Sequence, residues 1–244
     1  MRRIKAVACY DGSAYHGFQR QDNAYTVQQA IEDALFTLTG EKISVNGCSR
    51  TDTGVHAREF VLSFDIKNAI PCEGIVRGMN NMLPPDIAFK SCEECESDFH
   101  ARYNCKGKEY EYLIHNSRGK NPFIHSRAYR YALPIDEKLL QKAAEKFVGT
   151  HDFKSFCCAD CDKENTTRTV YSCTVERQDD MIYVRISADG FLYNMVRIIV
   201  GTLLYVNEGK LTPEDIPHLF EVRDRTKAGV TVPPQGLYLN KVFY

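Results

Sequence analysis

The sequence predicts an α+β protein of two ferredoxin-like (βαββαβ) halves, each with a mainly antiparallel sheet and with an active-site cleft between them. Three observations lead there. The strand and helix signals run twice through the order strand, helix, strand, strand, helix, strand. A length of 244 residues suits two medium domains, and 43% hydrophobic with 26% charged residues is ordinary globular composition. No internal sequence repeat accompanies the repeated order, so the recurrence is structural only. The halves are expected at 1–104 and 105–244, with the boundary near 100–106.

Arg2 to Tyr10 reads as the first strand. The first helix covers 26–40, where Val27, Ala30, Ile31, Ala34, Leu35 and Leu38 form one apolar face. Thr26 with Gln29 makes a capping-box pattern and Gly40 marks the end. Lys42–Cys48 and Glu59–Ile66 read as strands. A helix near 71–83 follows, with Pro71 at its first position, an Ile75, Val76, Met79, Leu83 stripe, and Pro84-Pro85 as its stop. Ile87–Ser91 closes the first half.

In the second half Lys106–His115 is strand-like and Asp136–Val148 helical. Arg168–Gln178 and Met181–Ser187 form a hairpin around Asp179-Asp180. Phe191–Asn207 is a helix, Thr212-Pro213 opens a shorter one, and Leu237–Tyr244 ends the chain as a strand.

A net charge of −1 excludes a uniformly basic nucleic-acid coat protein and a polybasic membrane-surface protein. MRRIKAVACY offers no h-region of a signal peptide, and Phe191–Val206 is too short and too polar to span a bilayer. The reading is therefore a cytoplasmic chain without a membrane partner. Its ten cysteines are then expected mostly as free thiols, and the Asn165-Thr166-Thr167 sequon carries no glycan.

Charge is unevenly spread. Residues 101–130 carry +5 and the remainder −6, and Tyr103, Tyr110, Tyr112, Phe123 and Tyr129 are interleaved with the cations of that stretch. Cations beside stacking rings suit RNA, although charge alone favours a solvated strand-and-loop region with structural tyrosines. Phosphate binding confined to such a stretch predicts an affinity that falls steeply with salt.

Phosphate-binding glycine loops, dinucleotide fingerprints, HExxH and EF-hand loops are missing from the sequence. The segment with chemical promise is GCSRTDTGVHA, 47–57, with one carboxylate, Asp52, and Arg50 two positions away. On an extended chain these two side chains point the same way, so the guanidinium favours the ionised carboxylate. Taken alone, Asp-Thr-Gly is also an ordinary turn.

That segment resembles the signature of the tRNA pseudouridine synthase A family, which centres on Arg-Thr-Asp-x-Gly-Val-His. YDGSAYHGFQRQ at 10–21, NNMLPPDI at 80–87, DFHARYNCKGKEYEY at 98–112, GTHDFKSF at 149–156, FLYNMVRIIVG at 191–201 and PQGLYL at 234–239 agree with the family in order. The resemblance implies that Asp52 is the catalytic aspartate, with Arg50 and Arg197 orienting it and holding its pKa low. Tyr110, first tyrosine of KEYEY, is then the substrate-contacting one. For Arg197, within an apolar helix, a buried carboxylate partner is expected, and Asp52 is the candidate. The ring of Tyr110 fits a core position as well, since Tyr112 shares its face.

The implied reaction isomerises uridine to pseudouridine at positions 38, 39 and 40 in the anticodon arm of tRNA. It breaks N1–C1′ and forms C5–C1′ with no net redox change, so neither cofactor nor metal is expected. The uridine has to be flipped out of its stack. Asp52 is nucleophile at C1′ or on the base, or the base that initiates elimination, while Tyr110 stacks on the target or assists loss of the C5 proton. The resemblance also implies a homodimer in which one tRNA touches both subunits. Two other readings compete: a non-catalytic RNA-binding protein of ferredoxin-like fold, and a zinc protein using Cys92-x-x-Cys95 and Cys158-x-x-Cys161, whose separation far exceeds zinc-ribbon spacing. Cys157, Cys158 and Cys161 are otherwise expected as surface thiols.

Overall fold

The computed structural model describes residues 1–158 and 165–244. Strands and helices combine in an α+β architecture whose sheets are mostly antiparallel. The chain divides into two compact units, Met1–Lys106 together with Tyr238–Tyr244, and Gly107–Leu237.

In the first unit β1 (Arg2–Tyr10) lies antiparallel between β3 (His56–Ile66) and β4 (Ile87–Glu94). Ile4, Ala6, Ala8 and Tyr10 of β1 alternate into the core, as a strand with one covered face requires. Helix α1 (Val27–Thr39) carries the apolar face read from its sequence. Thr26 Oγ1 accepts from the Gln29 N–H, and Gly40 closes the helix at φ 73°. Helix α2 (Cys72–Met82) buries Ile75 and Met79; Pro71 is its extended cap rather than its first helical residue.

The strand expected at 42–48 shrinks to β2 (Asn46–Gly47) on β3. The cause is local. The buried Glu32 of α1 accepts from the Val45 N–H at 3.1 Å, and Gln28 Nε2 donates to the Val45 carbonyl at 3.3 Å, so side chains of α1 take the hydrogen bonds a neighbouring strand would have used. The last strand, β10 (Leu237–Phe243), pairs parallel with β3 at Tyr238 and Leu239. A division in chain order puts it with the second half; its pairing puts it with the first unit.

The second unit is built on β5 (Gly107–Asn116), with the short β6 (Tyr129–Tyr131) parallel to it. Helix α3 (Glu137–Glu145) starts at Asp136, whose carboxylate accepts from the N–H groups of Lys138 and Leu139. Strands β7 (Gly149–Asp152), β8 (Thr167–Gln178) and β9 (Met181–Ala188) complete the order β5-β9-β8-β7, all antiparallel. The β8–β9 turn places Asp179 at φ 53°. Helix α4 (Met195–Asn207) begins four residues later than its apolar pattern suggests, because Asn194 sits in the left-handed region at φ 61°. A short helix α5 (Ile216–Val222) follows. The segment GTHDFKSF sends Phe153, Ser155 and Phe156 into the core, where Phe153 and Phe156 pack with Phe220 and Phe156 with Phe147, and His151 stacks on Phe220 at 4.3 Å. No helix among the described residues is long and apolar enough to cross a membrane.

Candidate active site

The segment 47–57 enters from β2, runs irregularly, turns at Thr53-Gly54 and leaves as β3. Backbone bonds to the segment after β1 hold it on both sides of Asp52. The Phe18 N–H donates to the Thr51 carbonyl at 3.1 Å and the Gly54 N–H to the Tyr15 carbonyl at 3.3 Å, while the Val55 N–H closes the turn onto the Asp52 carbonyl at 3.1 Å. Thr51 is buried, and its hydroxyl shares a 2.7 Å hydrogen bond with the Tyr10 hydroxyl. Gly12 is required by close approach: a Cβ there would lie 2.0 Å from the Val55 carbonyl oxygen.

His56 anchors the far end. It is 1% exposed, its ring stacks on Tyr238 at 4.6 Å, and Nδ1 is 3.1 Å from both the Gly12 N–H nitrogen and Asp11 Oδ1. The neutral ring accepts from Gly12; a protonated ring would donate to Asp11. Tyr15 braces the adjoining segment by donating to Asp86 Oδ1 at 2.6 Å, and burial with that carboxylate raises its pKa.

Within this frame Asp52 is half-buried. Arg50 is exposed and makes no ion pair or side-chain hydrogen bond among the described residues, so the expected local pairing with Asp52 is absent. The physical reason is the irregular path: the alternation that aligns residues i and i+2 holds for regular strands, and none runs through 48–55.

Tyr110 and Arg197 belong to the second unit. Tyr110 lies in β5, 7% exposed, its ring edge-on to Phe191 at 5.0 Å. The second tyrosine of KEYEY is part of the core. Tyr112 is fully buried and donates to the Pro233 carbonyl at 2.7 Å, and burial pushes its pKa well up; it is a structural residue. Arg197 is half-buried on α4. Its Nε donates to the Val232 carbonyl and Nη1 to Asn194 Oδ1, both at 2.7 Å, which aims the guanidinium. Segment 228–232 reaches α4 closely because both partners are glycine: a Cβ on Gly201 would lie 1.8 Å from the Val230 carbonyl oxygen, and one on Gly229 would lie 2.2 Å from the Gly201 carbonyl carbon. The Gly229 N–H donates to Thr202 Oγ1.

Sequence reasoning did not find the bracing roles of Gly12, Tyr15, Thr51 and His56, nor of Asn194 and Val232. All but Val232 lie in the segments 10–21, 47–57 and 191–201, which carry no roles for them, and Val232 lies in no motif segment. The paired CxxC reading draws no support from Cys92 and Cys95, whose thiols burial raises toward the protonated form. Cys157 is buried rather than on the surface, Cys158 is half-buried, and Cys161 lies outside the described residues.

The family model described as tRNA pseudouridine synthase matches residues 6–104 and 143–244. The chain belongs to that family. Among curated proteins, tRNA pseudouridine synthase A of Thermoanaerobacter sp. (strain X514) is 45% identical over 244 residues, covering all of both chains. The proteins of the same name from Acetivibrio thermocellus and Clostridium botulinum are 46% and 44% identical over equally complete lengths.

Proposed function

We propose that this chain isomerises uridine to pseudouridine in tRNA, at positions 38, 39 and 40 of the anticodon arm, with Asp52 as the residue that starts the reaction. Family membership across nearly the whole chain carries the reading. The way segment 47–57 is clamped at Thr51, Gly54, Val55 and His56 supports it, because a carboxylate held by its own backbone needs little reorganisation before it acts.

In this reading Asp52 attacks the sugar or the base, or removes a proton to begin elimination. The N1–C1′ bond breaks, the uracil turns, C5–C1′ forms, and the C5 proton is lost to solvent while N1 gains one. Arg197, aimed by Val232 and Asn194, pairs with Asp52 and keeps it ionised, and Arg50 holds the RNA beside it. Tyr110 stacks on the flipped base or takes part in removing the C5 proton. The resemblance extends the proposal to a cytoplasmic homodimer that uses no cofactor.

Tritium release from tRNA labelled at uracil C5 tests this directly. Wild-type chain should release label and Asp52→Asn, folded normally, should not. Release by the variant at the wild-type rate would remove Asp52 from the role. Tight binding with no release by the wild type would favour a non-catalytic RNA-binding protein instead.

A further inference from the structure

The second unit contains a pocket of about 590 Å³ that the reaction described above does not use. Its walls come from the end of β5, the segment 120–130 and the turn 233–235, with His115, Lys120, Tyr129, Arg130, Pro233 and Gln235 among the lining residues. Most of that lining lies in the interval 105–142 between the two segments the family model matches. The volume falls within the range of small-ligand sites.

Charge and shape narrow the occupant. None of the described lining residues is a carboxylate. Lys120 is exposed and carries no ion pair or hydrogen bond from its ammonium group among the described residues, and Arg130 spends Nη1 on the Arg118 carbonyl rather than on an acid. Tyr129 is half-buried among the lining residues, its ring tilted against Tyr131 at 6.3 Å. Two cations without acidic partners beside a half-buried aromatic ring suit one phosphate and one base.

The pocket is also rigidly tied to the residues proposed for chemistry. Pro233 lines it and accepts from Tyr112, two positions along β5 from Tyr110; the next residue back, Val232, accepts from Arg197. His115 is five residues from Tyr110 on the same strand, roughly 16 Å at ~3.3 Å per residue, so the two do not serve one base.

We propose that this pocket holds an unpaired nucleotide of the RNA substrate other than the uridine being isomerised, its base on Tyr129 and its phosphate between Lys120 and Arg130. The proposal rests on the tRNA reading above and adds a second point of RNA recognition, which fixes the register of the strand relative to the reacting uridine.

The test measures binding of an unmodified tRNA transcript to the full chain across a salt series. Lys120→Gln with Arg130→Gln should raise Kd about tenfold near 0.1 M salt and reduce the slope of log K against log salt by about 1.4, two single-stranded phosphate contacts at ~0.7 each. Tyr129→Leu should raise Kd at least about fivefold with the slope unchanged, and Tyr129→Phe should restore it. Lys138→Gln with Lys142→Gln, the same charge change on α3, should leave both quantities at wild-type values. The inference is overturned if the Lys120/Arg130 pair behaves like the α3 pair, or if Tyr129→Leu binds normally. It is equally overturned if either variant lowers the sedimentation mass, since a second copy of the chain would then occupy the pocket. Tritium release by the wild type on the same transcript reads the functional proposal separately, because the binding comparison does not depend on turnover.

Discussion

The loop that carries Asp52 and the helix that carries Arg197 reach fixed geometry by opposite routes. Around Asp52 there is no regular element, and order comes from backbone groups bonded across to the segment after β1 and from a buried histidine and threonine. Arg197 starts from a regular helix, and only its guanidinium needs aiming, which one carbonyl and one amide oxygen accomplish. A site on a loop is vulnerable to anything that moves backbone, whereas a site on a packed helix is vulnerable to anything that loosens the core. Both regions use a glycine for a close approach, so the same substitution can be made in each.

Gly201→Ala should have the largest effect on stability. The added carbon would sit 1.8 Å from the Val230 carbonyl oxygen, and relief requires displacing either buried α4 or the segment that holds Arg197. A loss of about 3 kcal/mol or more is expected in denaturant unfolding. Gly12→Ala meets the Val55 carbonyl at 2.0 Å, but Thr53 is exposed and Asp52 and Gly54 only half-buried, so this loop has room to shift. Its signature should be a loss of about 100-fold in kcat/KM with a smaller stability change, as expected when a reacting group moves by about 1 Å. If the two variants lost stability equally and activity equally, the contrast between the regions would be gone.

Arg197→Ala sharpens the helix side. It deletes at least the hydrogen bonds to Val232 and Asn194 from a charged group and leaves the Val232 carbonyl to find another donor, an expected cost of about 2 kcal/mol. Arg197→Lys keeps the charge but has no fork to reach Val232 and Asn194 together, so it should recover less than half of that loss. Urea midpoints of the two variants at one pH make the comparison. Equal stability of Arg197→Lys and wild type would mean that charge, not geometry, matters here.

This difference also explains what the sequence made legible. Periodicity located α1, β1, β3, α2, β5 and the β8–β9 hairpin, because each buries one face and repeats its apolar residues accordingly. It overextended 42–48, since nothing in that segment reveals that Glu32 and Gln28 of α1 take the hydrogen bonds of Val45. It started α4 too early, because Phe191 and Leu192 are as apolar as the helix and only the backbone of Asn194 marks the break. Asp52 stood out through its motif, but the assumption of extended backbone brought Arg50 to its side, where the structure does not place it. The short β6 and β7 have three and four residues, too few to show a period.

Tyr112 offers a smaller effect with a distinctive pH signature. Burial raises its pKa above the ordinary 10, so the folded chain keeps the proton where the unfolded chain loses it. Because the folded state then binds more protons, stability from this residue is intact below pH 10 and declines as pH rises above it. Tyr112→Phe should cost about 1 kcal/mol at neutral pH through the lost bond to Pro233 and should make the decline above pH 10 shallower. Unfolding free energies measured between pH 8 and 11 separate the two effects. A variant as sensitive to alkali as the wild type would move that sensitivity to other tyrosines such as the half-buried Tyr244, whose pKa desolvation raises as well.

The smallest stability change is expected at Arg50, and it is the most informative about the loop. An exposed side chain with no bond to the protein among the described residues contributes little to folding, so Arg50→Gln should stay within about 0.5 kcal/mol of wild type. Its proposed role lies toward RNA, which means the variant should lose kcat/KM while its melting temperature is unchanged within about 2 °C. Arg197→Ala, in contrast, should lose both. Calorimetry alongside tritium release on these two variants places each arginine on one side of that division. A melting shift for Arg50→Gln as large as that of Arg197→Ala would show that Arg50 braces the loop in the folded chain, and the separation of a backbone-held aspartate from a side-chain-held arginine would then fail.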